Sequence, residues 1–241
     1  MNRKCIGFFT TILLIFLAGC NDAPKKKATS PLPEEVAKKD SVVIDSVVEP
    51  AQSPEDEPFV LTEDNAIDFF FEYNKTRTKN KVKLTTSFGS FTVQLYDNVP
   101  YHASNFVYLA DKGYFDNTYF HRVVKNFIIQ GGNADNKETS RKRKAIGRYL
   151  LPPDGKKGHR HHRGTISMPS SEINNPHMLA SPYEFFIVVT KPGSYHLDGE
   201  YTPFGRVIAG MDVVDKINEQ PVDDGDWPSQ NIYIFKAEAL D

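Results

Sequence analysis

Apolar and polar positions alternate with period two over Val82-Lys83-Leu84-Thr85-Thr86 and again over Phe91-Thr92-Val93-Gln94-Leu95. Two such runs around Ser87-Phe88-Gly89-Ser90 predict a β-hairpin. Past Pro100 the period lengthens. Ala103, Phe106, Val107 and Ala110 fall at i, i+3, i+4 and i+7, a helical stripe that Gly113 ends. Short β-rich runs follow at Tyr119–Val124, Phe127–Gln130, Gly164–Met168, Phe185–Val189 and Phe204–Val207. A second short helix is predicted from Met211 to Glu219, stopped by Pro221, and a last strand over Ile232–Ala237. Ahead of this body, residues 59–80 predict an extra helix. Thr62 is its expected N-cap, Ile67, Phe70, Phe71 and Asn74 share a face, and the end falls near Thr76. Many short strands with two helices predict a mainly β domain over residues 81–241, built as a closed antiparallel barrel.

The N-terminus follows a different pattern. Arg3 and Lys4 precede an apolar run from Cys5 to Ala18, shorter than the ~20 residues a spanning helix needs. Residues 1–19 therefore read as a signal peptide. The run ends in Leu17-Ala18-Gly19-Cys20, which resembles the lipobox of bacterial lipoproteins. That resemblance implies cleavage before Cys20, lipid on its sulfur, and anchoring to a membrane of the bacterial envelope, facing the periplasm. An ordinary secretory signal ending in Cys by coincidence is the competing reading. Asn21 to Pro58 holds six prolines, fourteen charges and no aromatic residue, so residues 20–58 are expected to be a solvated tether.

Composition narrows the function classes. The 241 residues carry 29 Lys+Arg against 31 Asp+Glu, and that balance argues against a nucleic-acid binder. Two cysteines exclude a disulfide scaffold and a four-thiolate metal site.

One segment stands out for chemistry: Phe120-His121-Arg122-Val123-Val124-Lys125-Asn126-Phe127-Ile128-Ile129-Gln130-Gly131-Gly132. Strand alternation would send His121 and Val123 to one face and Arg122 to the other. An Arg beside Phe and Gln on adjacent strands makes a polar donor in an apolar dish. This segment resembles the core motif of cyclophilins, the peptidyl-prolyl cis-trans isomerases. The resemblance continues in order through GTISM, EFFIV, HLDG, FGRV and GMDVVDKI, from about Val82 to Asp241. It implies an eight-stranded antiparallel β-barrel capped by two helices, with the active site on an outer groove. By position it implies a catalytic role for Arg122, with Gln130 helping to place it. Phe127, Ile128, Phe186 and Leu197 become walls of a proline pocket. His121 matches the motif histidine and reads first as structural. No cofactor or metal is implied, because no bond is broken. The expected partners are proline-containing, unfolded or looped segments of envelope proteins, met by a monomer.

Four positions depart from the family pattern. Glu184 stands where Gln is usual and is expected to hold Arg122 or compete for its donors. His196 replaces a Trp, Pro169-Ser170 replaces Ala-Asn in the substrate-binding stretch, and Tyr201 replaces a frequent His. These departures keep open a non-catalytic proline-peptide binder or chaperone. The basic stretches 141–144 and 156–163 are expected to form solvated loops; lipid or an acidic client would be a further use, and a metal site from His159, His161 and His162 a weaker one. Trp227 is expected to pack rather than to recognise.

Overall fold

The computed structural model describes residues 59–154, 157–171 and 174–241. The signal peptide, Cys20 and the tether lie outside the described residues. Strands β2 (Lys81–Thr86) and β3 (Gly89–Leu95) form the expected hairpin, with Val82 opposite Val93 and Leu84 opposite Phe91. These four side chains are buried while Lys83 and its outward neighbours are not, as the alternation requires. Six further strands complete a closed barrel: β4 (Thr118–Val124), β5 (Ile128–Asn133), β7 (Thr165–Ser167), β8 (Phe185–Val188), β9 (Pro203–Ala209) and β10 (Ile232–Leu240). The order around it is β10-β2-β3-β9-β7-β8-β5-β4, β4 pairs back onto β10, and every pairing is antiparallel.

Two helices pack on the barrel, α2 (Pro100–Asp111) and α4 (Met211–Asn218). Phe106 of α2 meets Phe115, Phe185 and Phe204 at centroid distances of 5.0, 5.4 and 5.3 Å. Phe120, Val123, Ile129, Ile166 and Ile187 join the same buried cluster. The lumen is a packed core, so a ligand must use the outer surface.

Helix α2 starts at Pro100, which has no N–H to satisfy. Val99 before it cannot cap the next donors. The Asp154 carboxylate does so from 53 and 52 residues away, accepting from the Tyr101 and His102 amides at 2.7 and 3.2 Å while only 5% exposed.

Three expectations need correction. Thr62 is not the N-cap of the extra helix: it sits on a two-residue strand, β1 (Leu61–Thr62), paired in parallel with β6 (Gly147–Arg148). Helix α1 (Ala66–Thr76) follows from Asn65. The β1–β6 contact is so close that a Cβ on Gly147, at φ +133°, would overlap the Leu61 backbone. Second, Phe71 is 49% exposed; Phe69, Phe70 and Tyr73 form the face that meets Tyr108 of α2. Third, residues 141–144 are not a loop but lie in helix α3 (Lys137–Ile146). Asn136 caps it, its side chain accepting from Thr139 N at 2.8 Å. Only Thr139 and Ile146 of α3 are buried. The other contacts are polar: Arg143 lies over Tyr183 and bonds the Tyr114 hydroxyl at 2.9 Å. Apolar periodicity therefore gave no helical signal.

Because Asp154 is the acceptor for two buried helix-terminal donors, Asp154→Ala is expected to lower unfolding stability by about 2 kcal/mol, and Asp154→Asn by less. Urea denaturation checks this as a shift of the midpoint at constant slope.

Candidate active site

A register shift in β4 creates the site. Phe120 pairs with Gly131 and Arg122 with Gln130, so His121 is an extra, bulged residue. Phe120 and Val123 both enter the core, while His121 and Arg122 both lie outside it. The expected alternation, with His121 and Val123 on one face, is broken by this bulge.

Beyond the bulge the outer face is regular. Arg122 stands opposite Gln130, and Gln130 opposite Phe186. One step further, Val124 stands opposite Ile128, and Ile128 opposite Val188. Paired residues present their side chains on one face. A polar row headed by Arg122 therefore runs beside an apolar row. Ile128, Phe186, Val188 and Leu197 form a second buried cluster, separate from the lumen, with Val124, Phe127 and Tyr201 packed on it. Leu197 comes from a 3₁₀ turn, Tyr195–Leu197. Phe127 belongs to the β4–β5 turn rather than to β5, because Asn126 takes φ 59°. Asn218 of α4, 3% exposed, pins that turn. Its Oδ1 accepts from Asn126 N at 2.8 Å, and its Nδ2 donates to the Val124 and Ile128 carbonyls at 2.8 and 3.2 Å.

The departing residues find specific places. His196, in the place of a Trp, stacks on Phe127 at 5.4 Å and 25° and supplies a flat wall there. Tyr201 meets the Phe186 ring edge-on at 5.4 Å. The hydroxyl of Ser170 accepts from Asn175 Nδ2 at 2.8 Å. Ser170 lines a cavity of 480 Å³ with Met168, Leu179, Ala180 and Tyr201. Pro169 does not line it; its carbonyl accepts from Ser181 N at 2.9 Å.

Glu184 does not pair with Arg122. Gln130 stands next to Arg122 in the ladder, and the Glu184 carboxylate engages Gln130 instead, accepting from its Nε2 at 3.0 Å. It also accepts from Asn133 Nδ2 at 3.2 Å and lies 3.4 Å from His121 Nε2. Burial pushes the Glu184 pKa up, but the His121 and Gln130 bonds and the nearby Arg143 charge outweigh it, and the net shift is downward. Arg122 is bound instead by Asp226, Nη2 to Oδ2 at 3.2 Å, with side chains 42% and 36% exposed. Asp226 lies 104 residues away, and no local signal marked it.

His161 was expected in a solvated loop and is fully buried behind Phe186 of the apolar cluster. Its ring lies 6.1 Å from Phe186 at an interplanar angle of 13°. Burial lowers its pKa against the pull of Asp198, which favours the neutral ring. That ring donates Nδ1–H to Asp198 at 2.8 Å and accepts the Ser167 hydroxyl at Nε2, 2.9 Å away. The other two histidines of the stretch face elsewhere: His159 stacks on Tyr96 at 3.7 Å, and His162 bonds the Tyr195 hydroxyl at 2.9 Å. The three rings do not converge on a metal.

Asp198 carries a pKa of about 2. Burial raises it, and bonds from Arg160 and from the His161 amide and ring lower it further. Its folded pKa lies below its unfolded one, so its stabilisation is complete above the ordinary carboxylate range, about pH 4. That stabilisation disappears as pH falls toward 2. The melting temperature is expected to drop over this window, and Asp198→Asn to flatten the drop. Thermal scans from pH 5 to pH 2 check it; equal slopes for both proteins would refute the assignment.

Comparison with known proteins agrees with this geometry. The sequence profile described as cyclophilin type peptidyl-prolyl cis-trans isomerase/CLD matches residues 81–239. Peptidyl-prolyl cis-trans isomerase-like 1 of Neurospora crassa is 37% identical over 161 residues, 66% of this chain and 93% of that protein. Peptidyl-prolyl cis-trans isomerase-like 2 of Rhizopus delemar is 36% identical over 68% of this chain, which spans only 30% of that longer protein. A crystal structure of a cyclophilin type isomerase from Cryptosporidium parvum, solved in the presence of the dipeptide Ala-Pro, superposes with a TM-score of 0.56 at 27% identity. It covers 67% of this chain and 99% of that one. With its barrel, its Arg122 row and its outer apolar cluster, the chain belongs to the cyclophilin type peptidyl-prolyl cis-trans isomerase family.

Proposed function

We propose that this protein accelerates cis–trans exchange at X-Pro bonds of exported proteins, held as a monomer on a membrane of the bacterial envelope by lipid on Cys20. The row Arg122–Gln130–Phe186 carries the reading: a guanidinium fork next to an apolar cluster of side chains, on the outside of a filled barrel. The relative solved with Ala-Pro supports a proline-containing peptide as the occupant.

The chemistry needs no nucleophile. Rotation about the imide faces a barrier near 18–20 kcal/mol because resonance is lost. Uncatalysed exchange takes roughly 10–100 s. Reaching about a millisecond requires ~6 kcal/mol. In the twisted state the prolyl nitrogen regains its lone pair, and Arg122 can donate to it only then. One preorganised donor contributes ~3–4 kcal/mol. The planar amide is the more polar form, so the pocket of Phe127, Ile128, Phe186 and Leu197 supplies part of the rest by desolvating it.

Asp226 and Glu184 bear on the rate. Asp226 orients the Arg122 fork while sharing its donors, and Glu184 occupies the Gln130 amide. This arrangement motivates the second reading, a proline-peptide binder or chaperone with attenuated turnover.

Proline-peptide exchange measured by NMR on the full chain separates the two. Arg122→Ala is expected to lower kcat/KM about 10²–10³-fold. Arg122→Lys is expected to recover little, since it keeps the charge but not the fork. Exchange that is the same with and without Arg122 would end the isomerase reading. A large rise in Glu184→Gln would identify natural attenuation. For the anchor, wild type is expected in the membrane fraction with a diacylglycerol mass increment on Cys20, and Cys20→Ser in the soluble fraction. An unmodified Cys20 in mature protein would refute the lipid.

A further inference from the structure

Trp227, the only tryptophan in the chain, packs against neighbouring rings yet remains 39% exposed. Its indole meets Tyr119 at 6.0 Å, Tyr119 meets Tyr233 at 6.2 Å, and Tyr233 stacks on Phe235 at 6.2 Å and 12°. Tyr233 and Phe235 are 38% and 51% exposed. Scattered exposed aromatics are ordinary, but four rings in contact, three on two paired strands and one on the adjoining turn, make a continuous apolar strip. The fold builds it. Tyr119 of β4 stands opposite Tyr233 of β10. A register shift between Ile234 and Lys236 makes Phe235 an extra residue, turned outward while Ile234 and Ala237 remain buried.

The strip starts at the active site. Trp227 follows Asp226, whose carboxylate holds Arg122, and its ring lies 6.1 Å from His121. Its turn is preorganised: Asp223 Oδ1 accepts from the amides of Gly225 and Trp227 at 2.9 Å each, and the Asp226 carbonyl accepts from Val123 N at 2.8 Å. The barrel is closed and offers no free edge to an added strand along β4 and β10. Recognition here must go through side chains. Lys236, beside Phe235, is paired with Glu238 at 2.6 Å, so charge does not dominate this end.

We propose that the Trp227–Tyr119–Tyr233–Phe235 strip is an accessory subsite for apolar side chains of the same unfolded polypeptide whose proline occupies the Arg122 pocket. Continuity with the pocket selects this occupant. Three ring-to-ring steps span up to about five residues of extended chain at ~3.3 Å each. A four-residue proline peptide is too short to use the strip, and a longer segment with aromatic or aliphatic residues beside its proline is long enough. The inference rests on the isomerase reading for its turnover and supplies a preference for unfolded, apolar stretches.

The test compares a four-residue proline peptide with a longer peptide carrying the same Xaa-Pro core and Phe- and Leu-rich flanks, using the full chain and its Tyr233→Ser/Phe235→Ser double variant. Wild type is expected to show a KM about tenfold lower for the flanked peptide at unchanged kcat, the factor one aromatic anchor carries. The double variant is expected to lose that advantage and to process the short peptide normally. Trp227 fluorescence is expected to titrate at a lower concentration with the flanked peptide than with the short one in wild type, and at equal concentrations in the double variant, and this readout decides the matter even if neither peptide is turned over. Equal KM values in wild type together with fluorescence titrating at equal concentrations of the two peptides would overturn the proposal. So would an equal loss on both peptides in the double variant. Concentration-dependent dimers in sedimentation, dissolved by the double variant, would assign the strip to a second copy of this chain instead.

Discussion

A barrel whose lumen is filled has only its outer wall to offer a substrate, and in this protein one bulged residue decides what that wall carries. The pairing of Phe120 with Gly131 and Arg122 with Gln130 leaves His121 without an opposite residue in the ladder. Val123 can then stay in the core while Arg122 turns out beside the apolar row of Val124, Ile128 and Val188. Were His121 paired in regular alternation instead of bulged, every side chain of β4 after it would change face. The donor and the pocket would then lie on opposite sides of the sheet.

The apolar cluster is supported from below and from the side. β8 is buried along its whole length, Phe185 and Ile187 into the lumen and Phe186 and Val188 under the site. His161 lies behind Phe186, held by Asp198 and Ser167, and Asn218 fixes the turn that presents Phe127. These buried polar groups are each bonded, so they rigidify the wall instead of destabilising it. Around the cation the balance differs. Arg122 and Asp226 are well exposed, so their attraction is screened and the fork stays available to a substrate. Glu184 is more deeply buried and committed to Gln130, Asn133 and His121. Its carboxylate therefore shapes the site through Gln130 and not through direct contact with Arg122.

Much of the architecture was legible in the chain. The hairpin, α2, α4 and the short strands follow from local periods of two and 3.6, which act over a few residues and survive any tertiary context here. The residue types of the site were legible too: Arg122, Gln130, Phe127, Ile128, Phe186 and Leu197 gather as their motifs implied. Helix α3 was hidden because, apart from Ile146, its inward face is made of polar, basic and tyrosine-contacting side chains. The burial of His161 was hidden for a related reason: its neighbours Arg160 and His162 are exposed, and only its own pairing with Asp198 and Ser167 takes it inside.

By itself, then, the sequence determined the elements, their order and the chemical types available, because those depend on short-range patterns and on side-chain identity. The tertiary structure alone decided the face on which Arg122 lies, its pairing with Asp226, the diversion of Glu184 to Gln130 and the line of rings from Trp227 to Phe235. Each of these is a relation between strands or loops distant in the chain. A register shift or a contact across 104 residues has no signature within either partner's local sequence; it exists only once the barrel has closed.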